Sequence, residues 1–250
     1  MSKKRDKKIL EKQEKEKIRE YFNFKGEGVF VEVGANEPVS IGSQSWHLEK
    51  HLNWSGLLIE PNPELAEQAR KTRPQSVVCQ SACTSPEKSG EMILYIPIHD
   101  GQAVSGHAAV GKNVDDFTYR DHVEIKVHAK TLNDLLEENN ICHIDFLSVD
   151  VEGTEMDVLL GIDLKKYRPK LILLEDKHVY LTKHRYITKQ DYVLVKKTKQ
   201  NFWYIPKGQK RPDQTLLEKL RIFKRLYISI WWKKIRLAVR SKTLAPLLRL

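Results

Sequence analysis

Cysteine is scarce in this chain of 250 residues: only Cys79, Cys83 and Cys142 occur. An odd count without a C-x-x-C pair supplies neither a disulfide framework nor a zinc ribbon, and predicts buried thiols in a reducing compartment. Long apolar runs are absent as well. No stretch offers the roughly 18 uncharged apolar residues of a membrane span. The opening MSKKRDKKILEKQEKEKIREYF lacks the apolar centre of a signal peptide. The expected location is cytoplasmic, with a peripheral position on the inner face of a membrane left open. A full G-x-G-x-x-G is also missing, which excludes the dinucleotide fingerprint and its close helix approach to a pyrophosphate.

Charge of one sign is abundant, and it is unevenly placed. Lysine and arginine number 43 against 33 aspartate and glutamate, a net +10. Residues 1–20 carry 9 basic and 5 acidic groups, and residues 211–250 carry 11 and 2, which leaves the centre near neutrality. Basic ends on a neutral body point to a polyanionic neighbour, an anionic membrane surface or a nucleic acid. Nucleic acid is the weaker of the two, because the centre is not basic and no N-P-P-Y-like motif ends a strand. The composition divides the chain into a charged helical leader (1–22), a globular domain (23–208) and a basic amphipathic helical tail (209–250). The Lys/Glu spacing of the leader predicts a solvated helix, with a specific binding arm as the alternative. On a uniform helical wheel the tail places Arg221, Arg225, Lys233, Arg236 and Arg240 in one arc and Phe223, Leu226, Tyr227, Ile230, Trp231, Leu237 and Ala238 roughly opposite. Lipid, the domain itself and a second copy in a homo-oligomer are all candidate partners for it.

Within the globular part, VFVEVGA and SGLLIEPNP read as strands buried on both faces. SQSWHLEKHL and PELAEQARKT read as helices, the second with Pro63 in its first turn. SVVCQSAC reads as a third strand. This β-α-β-α-β half predicts a parallel sheet with helices on both faces. EMILYIPI and HVEIKVHAKTL read as strands, antiparallel at an edge. The loop between them, 99–121, is long enough to be functional. Helix TLNDLLEENN, strand HIDFLSVDVEG, helix EMDVLLGIDLKKY, strand PKLILLED and a hairpin of YVLVKKTKQ with NFWYIPKG complete about seven main strands.

Two strands end in acids, Glu32 and Glu60. Ligands of open parallel sheets sit beyond the carboxyl ends of the strands. Gly34 lets the backbone approach a ligand, Asn36 can hydrogen-bond in the turn, and Glu60 can accept from both hydroxyls of a ribose. S-adenosylmethionine (SAM), a nucleoside without phosphates, suits this pattern. Glu32 then lies near its ammonium end or orients the loop, while Ser81 and Ala82 lie beside the adenine.

VFVEVGANEP, GLLIEPNPE, TLNDLLEENN, IDFLSVDVEGTEMDVLLGI and KLILLED resemble the FkbM family of SAM-dependent methyltransferases, from about Val29 to Ile205. The resemblance implies a Rossmann-like α/β fold with a seven-stranded, mostly parallel sheet of the class I type. It implies methyl transfer, usually to oxygen on sugars, glycans or other small molecules. By motif it assigns Gly34, Ala35 and Asn36 to the cofactor loop, Glu60 to the ribose with Pro61 and Asn62 in the same turn, and Asp150 and Glu152 to the signature acids. Pro38 stands where the common G-A-N-x-G form has a second glycine, which stiffens the loop and removes one N–H. Ser43 and Gln44 are expected to supply polar contacts instead. Because of Pro38, a binding module that has lost turnover stays open as the alternative. Asp150 is the first candidate for general base, with Glu152, His107 and His178 as further catalytic candidates. A metal is not expected as part of the site. Glu175, Asp176 and His178 are the residues that would join the two acids around one.

Overall fold

A computed structural model describes residues 2–104, 108–110, 121–175, 181–198 and 201–241. The chain divides into two compact units, Met1–Lys170 and Leu171–Leu250.

In the first unit helix α1 (Ser2–Tyr21) precedes strand β1 (Val29–Val33), helix α2 (Trp46–Leu52), strand β2 (Ser55–Ile59), helix α3 (Pro63–Thr72) and strand β3 (Val77–Cys79). The strands β4 (Ala82–Cys83), β5 (Gly90–His99), β6 (Gln102–Ala103), β7 (Ala109–Val110) and β8 (His122–Lys130) follow. Helix α4 (Leu132–Glu138), strand β9 (Phe146–Val149) and helices α5 (Glu155–Leu160) and α6 (Leu164–Tyr167) complete the unit. Here β9, β1, β2 and β3 lie side by side, all parallel, with Glu32 opposite Leu58 on one neighbour and Ser148 on the other. Phe30, Val31, Val33, Leu57, Leu58, Ile59, Phe146, Leu147 and Val149 are buried, the burial on both faces that continuous apolar runs require. Asp145 anchors the amino ends: its carboxylate accepts from Val29 N at 3.0 Å and from Lys170 Nζ at 2.6 Å.

The expected third strand is cut in two. Val77–Cys79 pairs with β2, whereas Ala82–Cys83 pairs with β8 in a second sheet ordered β4-β8-β5-β6, with β7 on β5. The expected antiparallel pairing of 91–98 with 122–132 is present over eight register positions, from Gly90 opposite Ala129 to Pro97 opposite His122. These strands form this second sheet instead of an edge of the first. Strand β8 buries only alternate residues near its end, Val127 and Ala129, and a strand with one wet face does not suit a sheet covered on both sides. The expected helix over 155–167 is also broken, because Asp163 Oδ1 accepts from Lys165 N at 2.9 Å and Lys166 N at 3.0 Å and so caps a new helix.

In the second unit β10 (Leu171–Glu175) is followed by α7 (Thr182–Lys189), β11 (Tyr192–Thr198) and β12 (Asn201–Pro206). β12 is antiparallel to both β10 and β11, which gives the expected hairpin. Helix α8 (Leu216–Phe223) starts at a Thr215–Glu218 capping box, passes through a π turn (Lys224–Ser229) and continues as α9 (Ile230–Ser241). The architecture is α/β with mixed parallel and antiparallel pairing. Among the described residues no helix is long and apolar enough to cross a membrane.

The leader is helical as expected, but it is solvated only in part. Ile9 and Leu10 are exposed, while Glu14, Lys15, Ile18 and Phe22 are buried. Phe22 stacks edge-on against Trp54, with ring centroids 4.8 Å apart. The three cysteines are free thiols; Cys83 is buried, Cys79 half-buried and Cys142 exposed, against the expectation of three buried ones.

Candidate active site at the carboxyl ends of the parallel strands

The loop after β1 is bound into the sheet. Gly34 N and Ala35 N both donate to Ile59 O, at 3.0 and 3.1 Å, and Asp150 N donates to Val33 O at 3.1 Å. Gly34 sits at φ +82°, and a Cβ built there would lie 1.9 Å from Asp150 O. Only glycine allows that conformation and that approach. The first and fourth signature stretches, VGAN and VDVEG, thus meet backbone to backbone.

Glu60 ends β2, with its own N–H donating to Cys79 O at 3.0 Å. Its carboxylate is buried and accepts from Asn36 N at 2.7 Å and Asn62 N at 2.9 Å. Burial pushes its pKa up to about 6; the two backbone N–H groups pull the other way and the charge on Glu32 adds to the rise. An ionised carboxylate has about four lone-pair positions, so two remain for a ligand. Asn62 holds the turn, since its Oδ1 caps α3 by accepting from Glu64 N at 3.0 Å.

Glu32 is bound into the loop. Its carboxylate is buried and accepts from Ser43 Oγ at 2.9 Å, Gln44 N at 2.5 Å, Ser45 N at 3.2 Å and Ser45 Oγ. Ser43 Oγ in turn accepts from Trp46 N at 3.1 Å, which starts α2. So Ser43 and the Gln44 backbone are engaged with Glu32, while the Gln44 Oε1 atom is buried without a hydrogen-bond partner.

Two further cations fix the same loop, and nothing in their sequence context signals it. Arg73 follows α3 and is wholly buried. Its Nε donates to Glu49 Oε2 at 2.6 Å, Nη1 to Pro38 O at 2.9 Å and Nη2 to Ser45 Oγ at 3.0 Å. The guanidinium lies over Phe30 and Trp46, 5.4 and 5.2 Å from the ring centroids. Pro38 therefore serves the loop through its carbonyl. From the leader, Lys15 Nζ donates to Ile41 O, and Arg19 Nη1 meets His47 Nδ1 at 3.2 Å. Burial lowers the pKa of Lys15 while the charge of Glu32 raises it. Burial holds the pKa of His47 well below 6.5, so this ring is neutral and packed.

At the end of β9 the strand gives way to a turn in which Glu152 has φ +52° and Gly153 φ +115°. Gly153 N donates to Glu155 Oε1 at 2.7 Å. A carboxylate oxygen of Asp150 and one of Glu152 still lie within 4.8 Å of each other. Ser81 and Ala82 face elsewhere in part: Ser81 Oγ donates to Ala82 O at 2.8 Å and His128 O at 3.1 Å, and Ala82 packs with Leu94, Ile96, Val127 and Ala129. Glu175 ends β10 in the second unit and is buried. His107, Asp176 and His178 lie outside the described residues.

A glycine-bearing loop, a buried acid and a second acid gather at the carboxyl ends of three parallel strands, the place where open α/β sheets generally take their ligands. The family model described as the Methyltransferase FkbM domain matches residues 32–194, about two-thirds of the chain. The chain belongs to this family, and its class is methyltransferase. No curated protein matches it.

Proposed function

We propose that this chain is a SAM-dependent O-methyltransferase acting on a sugar, glycan or related hydroxyl acceptor, on a seven-stranded sheet of the class I type. The observation that carries the reading is Glu60. A carboxylate placed at the end of β2, buried, satisfied among the described residues by two backbone N–H groups and raised to a pKa of about 6 is under-solvated. The two hydroxyls of a ribose are the donors it lacks. The arrangement suits a nucleoside: an acid that accepts hydrogen bonds, held by Asn36 N and Asn62 N, in a site without the glycine pattern that a pyrophosphate needs.

When bound, SAM supplies an activated methyl group on a sulfonium. The chain's own part is to hold and to orient. Glu60 grips the ribose, and Gly34 brings the loop backbone close. Glu32, Arg73 and Lys15 keep residues 38–45 in one shape. Asp150, set against Gly34 at the end of β9, takes the proton from the acceptor hydroxyl, a weak nucleophile that needs a base. Glu152 lies beside it.

Incubation with methyl-labelled SAM and a carbohydrate extract tests the reading. Label in an alkali-stable ether together with S-adenosylhomocysteine supports it. SAM bound without turnover over a broad acceptor set would instead favour the binding module, and failure to bind SAM would end both.

A further inference from the structure

Among the described residues, the tail of the second unit exposes an apolar stripe. Leu216, Leu217, Leu220 and Phe223 are exposed at helical spacing along α8. Tyr227, Ile228, Trp231, Trp232, Ile235 and Val239 continue the exposure, with Trp232 63% and Val239 73% accessible. On a uniform α-helix these two sets drift apart, at about 100° per residue. The π turn at Lys224–Ser229 corrects the drift. Each i→i+5 turn holds one residue more than an α turn and sets the downstream phase back by about 100°. The exposed residues of α9 then continue the line of those on α8. The uniform wheel therefore fails here: Arg225, placed on its basic arc, is buried, and its guanidinium lies 5.7 Å from the Phe202 ring centroid.

The opposite side of the run is fixed in place. Lys196 Nζ on β11 donates to Glu218 Oε1 at 3.1 Å, Arg225 sits over Phe202 of β12, and Ala238 is buried. The helix is thus docked on its own hairpin and turns its apolar side outward. Lys219, Arg221, Lys224 and Arg236 are exposed along it, and residues 211–250 hold 11 basic groups against 2 acidic.

We propose that residues 216–239 form a lipid-docking surface that lies in the headgroup layer of an anionic membrane. Charge complementarity selects this occupant. A second copy would bring the same positive surface against itself, which like-charge contact disfavours. A nucleic acid would answer the cations but leave the Leu/Ile/Val stripe in water. An anionic bilayer answers both, and Trp231, Trp232 and Tyr227 are the residue types that settle at the boundary between headgroups and acyl chains. With no helix among the described residues able to cross a membrane, the helix rests on the surface.

The test is flotation of the full chain with vesicles of phosphatidylcholine alone and of phosphatidylcholine mixed with phosphatidylserine. Binding to the mixed vesicles should exceed binding to the neutral ones by about tenfold or more and weaken as salt is added. Trp231→Ser with Trp232→Ser should lose most of that binding, as should Lys219→Gln, Arg221→Gln, Lys224→Gln and Arg236→Gln combined. Both sets change exposed positions, so an unchanged thermal transition separates lost docking from lost folding. Equal flotation on both lipids, no flotation on either, or full binding by the tryptophan variant overturns the proposal. So does a concentration-dependent dimer that the tryptophan variant abolishes.

Discussion

Replacing Glu60 by alanine should weaken SAM binding by about 100-fold or more. Two hydrogen bonds from a ribose diol to an ionised acceptor contribute about 1.5 kcal/mol or more each, so their joint loss is at least about 3 kcal/mol, or two decades in Kd. The fold should survive the change. Raising the carboxyl from the usual 4.5 to about 6 means the protein carries a destabilising charge worth about 2 kcal/mol at pH 8. Alanine removes that charge and leaves Asn36 N, part-buried, and Asn62 N, buried, without their acceptor, a loss of about 1–3 kcal/mol each. The two effects oppose each other, and the variant should stay folded. The pH dependence gives an internal check. Because the folded-state pKa lies above the unfolded one, the group's contribution to stability is complete below about pH 4.5 and is lost as the pH rises through about 6. Ligand affinity runs the other way: it needs the ionised acceptor and should fall about tenfold per unit below pH 6. Isothermal titration with SAM and S-adenosylhomocysteine reads both. A Kd for Glu60→Ala within threefold of the parent, or an affinity flat from pH 7.5 to 5, would refute the ribose grip.

Asp150→Asn should leave SAM affinity within about threefold and slow methyl transfer by about 10² to 10⁴, the range for loss of a general base; single-turnover assays decide. Arg73→Ala should destabilise by about 3–5 kcal/mol in urea titration, because it strands the buried Glu49 carboxylate, which is 2.6 Å from Arg73 Nε. Gly34→Ala should abolish SAM binding and cost about 3 kcal/mol or more, since its Cβ would fall 1.9 Å from Asp150 O at a left-handed φ. A variant with parental affinity would detach that backbone contact from function.

The parts of the fold that were legible in the sequence are those written locally. β1, β2, β9 and β10 are short apolar runs with turn residues at their ends, and Pro63 and Thr131 mark helix starts through chemistry confined to a few residues. Glu60 was legible because a strand end and an acid are adjacent in sequence. What stayed hidden depends on contacts between distant residues. Arg73 reaches Pro38 and Ser45, 35 and 28 positions away, and an arginine after a helix has no local mark of burial. The break between β3 and β4 is invisible in SVVCQSAC because both halves are apolar and differ only in their partner strand. The leader misled through composition: Glu14 and Lys15 count as solvated types, yet both are buried, and the Lys15 ammonium finds its partner in the distant Ile41 carbonyl. The tail misled through geometry, since a wheel assumes one pitch and Lys224–Ser229 has another.

The strut from Lys15 to the Ile41 carbonyl bears on where this enzyme can be cut. The family match begins at residue 32, a natural place to trim an expression clone. A chain shortened to that border would keep VGAN, IEPNP and VDVEG but lose Val29, Phe30 and Val31 of β1. It would also lose the ammonium that faces Glu32, the Arg19 guanidinium at His47 and the Phe22 ring on Trp54, and with them the outer brace of the loop. A shortened clone that proved inert would therefore speak about a missing buttress and a truncated strand, and leave the catalytic capacity of the full sequence unjudged.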